Sequence, residues 1–342
     1  MEKQSFYKLR AAVHFMPDVQ PMNLVTVDIG GTHARFALAT VDAGRVTQLG
    51  NATTLKTADH PSFLSAWAAF AATCQAPLPR AAALAVAATV KADPIRFTNN
   101  PWTLEPARLA DQMGVDALTI VNDFEAVAHA VAQVEPEHFL HLTGPDVPLP
   151  ASGTISVLGP GTGLGVAHLW RGPQGAHVQA TEGGHLDFAP LDAFEDALLA
   201  RLRARHGRVS TERIVSGPGL IPIAETLAAM AGQSFTPTED AALWQAGLSG
   251  ADALAAQAID RFCLTLGSVA GDIALAQGGA GVVIAGGLGY RIRDVLLRSG
   301  FAERFCAKGR FSAVLAGLPV KLIIHPQPGL LGAAAAFALE HS

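Results

Sequence analysis

The chain has 342 residues, half of them hydrophobic and 15% charged, with 24 Lys and Arg against 29 Asp and Glu for a formal net charge of −5. That length suggests two domains of ordinary size, and the apolar fraction allows a large core. No basic stripe points to nucleic acid, no run of about 18 apolar residues marks a membrane span, and Cys74, Cys263 and Cys306, without any CxxC spacing, read as buried small residues in a reducing compartment.

Residues 1–21 carry Lys3, Lys8, Arg10 and Asp18 with no continuous apolar core. They make a poor secretory signal and are expected to form a frayed extension, so the protein is expected in the cytoplasm. Strands are predicted at 24–28, 35–40 and 46–54, then a helix at 61–74 where alanines and aromatics crowd together. The continuous apolar run at 81–88 suits a central strand buried on both faces. A short strand at 94–98 and a short helix at 105–113 precede a buried strand at 117–121 and a helix at 124–133. The stretch 138–150 is rich in proline and glycine and reads as a linker. The pattern then restarts, with strands at 155–158, 165–169 and 176–181 and helices at 191–204, 219–231 and 240–248. A long helix is expected over 251–277, followed by buried strands at 282–285 and 320–324 and a last helix at 330–339. This alternation predicts α/β layers, and each half opens strand–turn–strand–strand, as two versions of one plan.

Two glycine-threonine turns sit between predicted strands. In Asp28-Ile29-Gly30-Gly31-Thr32 the two glycines lack side-chain bulk, so backbone N–H groups can approach a ligand closely. Thr32 adds a hydroxyl, and Asp28 closes the strand where it can hold a hydrated divalent cation. Gly159-Pro160-Gly161-Thr162-Gly163-Leu164-Gly165 repeats the arrangement. Together the turns suggest two jaws on one phosphate chain; either alone is equally a hairpin turn. There is no Gly-Lys-Ser/Thr and no G-x-G-x-x-G, so neither a Walker A loop nor a dinucleotide fingerprint is present.

Asn122-Asp123-Phe124 ends a buried strand, where α/β sheets place their ligands. Asp123 is read as a general base for a hydroxyl attacking phosphorus, or as the cap of the next helix, with Asn122 able to bridge two hydroxyls. In Glu182-Gly183-Gly184-His185 a carboxylate and an imidazole suit vicinal sugar hydroxyls; the bland alternative is a loop with one capping histidine. Glu212 is a further hydroxyl acceptor or simply the Glu of a helix start. Asp187 is read as structural. Glu135, Glu137, His138 and His141 are ligand-rich but fall in the supposed linker and read as solvated loop. The Arg201–Arg205 run reads as a solvated face.

These motifs, with Ser216-Gly217-Pro218-Gly219, Ala285-Gly286-Gly287 and Pro328-Gly329-Leu330-Leu331-Gly332, occur in an order that closely resembles the bacterial ATP-dependent glucokinase family from residue 23 to the C-terminus. The resemblance implies phosphorylation of the glucose 6-hydroxyl by ATP and Mg²⁺, the entry step of glycolysis. Asp123 would be the base, and Asn122, Glu182, His185, Glu212 and Asn99 would hold the sugar. Asp28 would lie near Mg²⁺ through water, Gly30, Gly31, Thr32, Gly161, Thr162 and Gly163 around the phosphates, and Gly286 and Gly287 near the nucleoside. It also implies a homodimer and a two-lobed ribonuclease-H-like, actin-like ATPase fold with a cleft between the lobes. The small lobe would be 22–133 plus 325–342, the large lobe 134–324. His33 departs from the usual Asn. A sugar-binding regulator of the same superfold would need a DNA-binding module, for which the residues before the first strand are too few. A chaperone-like ATPase would have no use for Glu182 and His185 in the same cleft.

Overall fold

The computed structural model describes residues 21–97, 99–236 and 238–341, so the expected extension lies outside the described residues except for Pro21. The first sheet starts as a hairpin of β1 (Met22–Ile29) and β2 (His33–Asp42), with Asp28 directly opposite Arg35. β3 (Arg45–Leu49) and β4 (Thr53–Lys56) both pair with β2. The single strand expected at 46–54 is therefore two. The Gly50 N–H donates to the Leu38 carbonyl at 2.8 Å, and the run breaks there. α1 (Phe63–Thr73) starts at Ser62, whose hydroxyl accepts from the Ser65 N–H. All six residues of β5 (Ala81–Val86) are buried, and it lies parallel to β1, as its apolar run predicts. A ribbon of β6 (Ile95–Arg96) and β7 (Thr103–Leu104), then α2 (Pro106–Met113), lead to β8 (Ala117–Asn122), parallel to β5, and α3 (Asp123–Gln133). The sheet order is β3-β2-β1-β5-β8, with β4 beside β2.

The supposed linker is not one. Phe139–Thr143 forms β9, whose apolar residues are masked in the sequence by the prolines and glycines that follow. β10 (Gly153–Pro160), β11 (Leu164–Gly172) and β12 (Gly175–Thr181) repeat the opening meander. Four helices follow: α4 (Ala193–His206), α5 (Leu220–Met230), α6 (Asp240–Ser249) and the long α7 (Ala253–Ala276). After β13 (Gly279–Ile284) come α8 (Gly286–Arg291), α9 (Arg293–Arg298), α10 (Phe301–Cys306) and α11 (Ser312–Ala316), each too short for a hydrophobic period to announce it. β14 (Val320–Ile323) and α12 (Pro328–Glu340) close the chain. The second sheet runs β12-β11-β10-β13-β14-β9.

α3 and α12 are packed between the sheets. Val127, Ala128, Ala130 and Val131 of α3 join Ile155, Val157, Ala167 and Leu169 of the second sheet in one core. Ala126 turns the other way, into a core with Ala83 and Ala85 of β5 and Ala333, Ala334 and Phe337 of α12. The alanines let helix and sheet backbones approach closely. At Gly332 the approach is so tight that a Cβ would overlap the Ala126 carbonyl. All three cysteines are free, but only Cys263 is fully buried; Cys74 and Cys306 are partly exposed, because each sits at or next to a helix end.

Candidate active site

The first glycine turn is braced from outside its hairpin. Gly30 N–H closes it on the His33 carbonyl at 2.9 Å. Thr57, 3% exposed, donates its N–H to the Thr32 carbonyl (3.0 Å) and its hydroxyl to the Gly31 carbonyl (2.9 Å). The Asn100 amide donates to the Gly30 carbonyl at 3.3 Å, and its oxygen accepts from the Trp102 N–H at 2.9 Å. Asn99 is exposed and stands over the turn: a Cβ at Gly31 would meet the Asn99 Cβ at 3.0 Å. Thr32 is exposed at the tip.

Asp28 lies below this turn, 3.3 Å from the Arg35 guanidinium. The first turn of α12 abuts it, so a Cβ at Gly329 would come within 2.7 Å of the carboxyl carbon. Burial pushes the Asp28 carboxyl above the usual carboxylate range, against the pull of Arg35.

Asp123 is the first residue of α3, and the cap is its neighbour. The Asn122 side-chain oxygen accepts from the Phe124 N–H (2.9 Å) and the Glu125 N–H (3.4 Å), while Glu125 reaches back to the Asn122 N–H in a capping box. The capping alternative for Asp123 is thereby overturned. The Asn122 amide also donates to the Ala88 carbonyl at 3.3 Å, which leaves one amide hydrogen for a ligand. Burial, and next the charge of Asp28, push Asp123 up to about 6, against the backbone N–H of Phe124. A carboxylate raised by burial and by a second carboxylate is a pattern that recurs at catalytic sites.

The second turn is closed by Gly161 N–H on the Gly163 carbonyl (2.8 Å). Gly217 N–H donates to the Gly161 carbonyl (2.7 Å), and the Trp244 indole holds Gly217 in turn (2.8 Å). Glu212 is not the Glu of an α-helix start. It sits in a short 3₁₀ turn, Thr211–Arg213, pinned by the Thr211 hydroxyl to the Gly184 carbonyl (2.6 Å). One carboxylate oxygen of Glu212 accepts from the Leu164 N–H at 2.9 Å, and the other lies 3.9 Å from His185 Nε2. A Cβ at Gly163 would collide with that carboxylate. Glu212 therefore joins the second glycine turn to His185. Arg208 braces the same loop, donating to the His185 carbonyl (2.6 Å) and pairing with Asp187 (2.7 Å), which gives Asp187 its structural role. Glu182 is exposed, and its side chain has no hydrogen-bond or ion-pair partner among the described residues. Thr162, His185, Glu212 and Ser216 line one groove of 630 Å³. Gly286 and Gly287 open α8, with Gly286 against the second turn. Gly286 has φ +85°, and a Cβ there would meet the Pro160 carbonyl at 2.8 Å.

Sequence reasoning missed Thr57 and Asn100, and found Gly329 only as part of a family motif, without its contact to Asp28. A lone threonine carries no signal, whereas Asn100 is next to Asn99, which the family resemblance had placed at the sugar. His141 is in β9, 3.6 Å from Asp146, and not in a solvated loop. Of the supposed solvated arginines, Arg205 pairs with Glu225 at 2.6 Å. Among the described residues no three His, Cys, Asp or Glu are grouped to hold a metal, and no helix is long and apolar enough to cross a membrane.

Two sheets of one plan, separated by paired helices and each carrying a glycine turn, define the two-lobed actin-like ATPase class to which sugar kinases belong. A family model for glucokinase matches residues 25–340. The glucokinase of Zymomonas mobilis is 56% identical over 94% of this chain and 99% of its own length. A crystal structure of glucokinase from an Antarctic psychrotroph superposes with a TM-score of 0.81 at 34% identity, covering 94% of this chain and 99% of that one. The glucokinase of Balamuthia mandrillaris, solved with glucose, shares the fold with a TM-score of 0.72 at 20% identity, over 93% of this chain and 94% of its own. The chain belongs to the glucokinase family.

Proposed function

We propose that this protein transfers the terminal phosphoryl group of ATP to the 6-hydroxyl of D-glucose, with Asp123 as general base. The observation that carries the reading is Asp123 itself: a carboxylate freed from capping, pushed up to about 6, and electrostatically coupled to Asp28 under the first glycine turn. Glucose would be held by Glu182, His185 and Glu212 on one side and by Asn99 and Asn122 on the other. Asp123 would take the 6-hydroxyl proton as that oxygen attacks phosphorus. The N–H groups of the two turns would stabilise charge on the transferring group. Asp28 and its surroundings suit Mg²⁺, which is held through one or two carboxylates plus phosphates and keeps several waters. When bound, the ion neutralises charge on the phosphate oxygens.

The lobes are taken as 22–133 with 325–342, and 134–324; this division is supported by the first sheet lying wholly within residues 22–122 and the second within 139–323. Closure of the cleft would exclude water and limit ATP hydrolysis. The reading includes a cytoplasmic homodimer, so sedimentation should give twice 35.5 kDa, and a 35.5 kDa species at micromolar concentration would remove that part.

ADP release with and without glucose tests the activity. Release that requires glucose is expected. Glucose binding without turnover would make the chain a regulator, and turnover without glucose a chaperone-like ATPase. A second expectation concerns Glu182. Glu182→Gln removes a charged acceptor worth about 1.5–3 kcal/mol, so calorimetry should show glucose affinity falling about 10–150-fold. Unchanged affinity would take Glu182 out of the sugar site.

A further inference from the structure

The residue after Asp123 has a place in the fold that no role above uses. The Phe124 ring lies on Gly165, and a Cβ at 165 would fall among the ring's Cγ, Cδ2 and Cε2 atoms. Gly165 pairs with Gly159 across β10 and β11 and stands two residues beyond Gly163, at the foot of the second turn. Behind the ring, α3 continues onto the second sheet through Val127 and Val131. On the opposite face, Gly332 of α12 sits against the Ala126 carbonyl. The first turn of α3 is thus clamped between two contacts that no side chain larger than hydrogen permits.

We propose that Phe124 is a positioning residue for Asp123: its ring, seated on bare Gly165, fixes the separation between the carboxylate and the second glycine turn. The proposal rests on Asp123 being the base. Asp123 and Phe124 are consecutive in a helix whose first turn is held by the Asn122–Glu125 box, so a tilt of the ring is carried directly to the carboxylate. Displacement of a reacting group by 1 Å costs about 10²-fold in rate. Removing the ring also opens a path for water to Asp123, which lessens the burial that raises its pKa.

The test measures kcat, both KM values, glucose affinity by calorimetry and the pH profile of kcat. The variants are Phe124→Ala, Phe124→Leu, Gly165→Ala and the double Phe124→Ala/Gly165→Ala, with Asp123→Asn beside them. Phe124→Ala should lower kcat about 10²-fold with little change in glucose affinity. Its acid limb should move from near 6 toward the ordinary carboxylate range. Phe124→Leu, which keeps most of the volume, should recover about tenfold of the loss. Gly165→Ala should lower kcat by displacing the ring. The double variant gives the new methyl room and should be no worse than either single change. A ring that only fills space would lower Tm and leave kcat and the acid limb unchanged. That result, or additive losses in the double variant, with Asp123→Asn inactive, would overturn the proposal and leave the base assignment intact. Should Phe124→Ala not fold, Phe124→Leu and Gly165→Ala with native kcat would overturn it equally. Turnover by Asp123→Asn would remove both readings together.

Discussion

Asp123→Asn is expected to bind glucose normally and to lose about 10²–10⁴ of turnover, the range that a positioned base contributes. The asparagine keeps the shape and can still accept the Phe124 N–H, but it cannot take a proton. The same change should make the protein more stable at high pH. Asp123 is pushed from 3.8 up to about 6 by burial and by Asp28, so the fold favours its neutral form. That stabilisation is complete below about 4 and is lost as pH rises through about 6. Asparagine mimics the neutral acid at every pH. At pH 8 the variant should therefore gain about 3 kcal/mol over the native chain, falling to about half of that at pH 5. Denaturant melts at the two pH values check the sign. Loss of turnover together with gain of stability is a signature of a strained catalytic carboxylate, and a variant less stable at pH 8 would contradict its burial as an anion.

Glu212→Ala is expected to damage both halves of the site at once. Leu164 is 5% exposed, and its N–H would be left without the carboxylate that accepts it. An orphaned buried donor costs about 1–3 kcal/mol, and a lost charged hydroxyl acceptor about 1.5–3 kcal/mol more. The lost acceptor corresponds to a fall of about 10–150-fold in kcat/KM for glucose, while the orphaned donor lowers stability and raises the KM for ATP as the second turn loosens. Glu212→Gln separates the two effects, because its amide oxygen can still accept from Leu164 while the charge is gone. It should spare the KM for ATP and retain a glucose defect. An ATP KM unchanged in Glu212→Ala would detach this carboxylate from the phosphate turn.

Much of this was legible before any coordinates. The buried run of β5 was plain because a central parallel strand is apolar on both faces, as Ala81–Val86 shows, whereas β8, expected to be buried, is the edge strand and buries only Thr119 and Val121. Asp28, Asp123, Glu182 and His185 stood out because they lie at strand ends or next to glycines, whereas Glu212, between Thr211 and Arg213, was singled out by the family resemblance. Side chains that act by contact at a distance in sequence were not legible. Gly329 meets Asp28 across almost the whole chain, and Thr57 braces a turn 26 residues away from Gly31. The same limit explains β9, whose partner β14 lies far downstream, and the cap at residues 122–123. The sequence allows either Asn122 or Asp123 to cap, and only the position of the first helical residue decides between them.

The most direct measurement is a crystal structure with glucose and a non-hydrolysable ATP analogue bound together. The Asp123 carboxylate should lie within about 2.6–3.2 Å of the glucose 6-hydroxyl oxygen, with that oxygen aligned on a terminal phosphorus that both glycine turns enclose. A 6-hydroxyl out of hydrogen-bond reach of Asp123, or a triphosphate that touches neither turn, would contradict that arrangement.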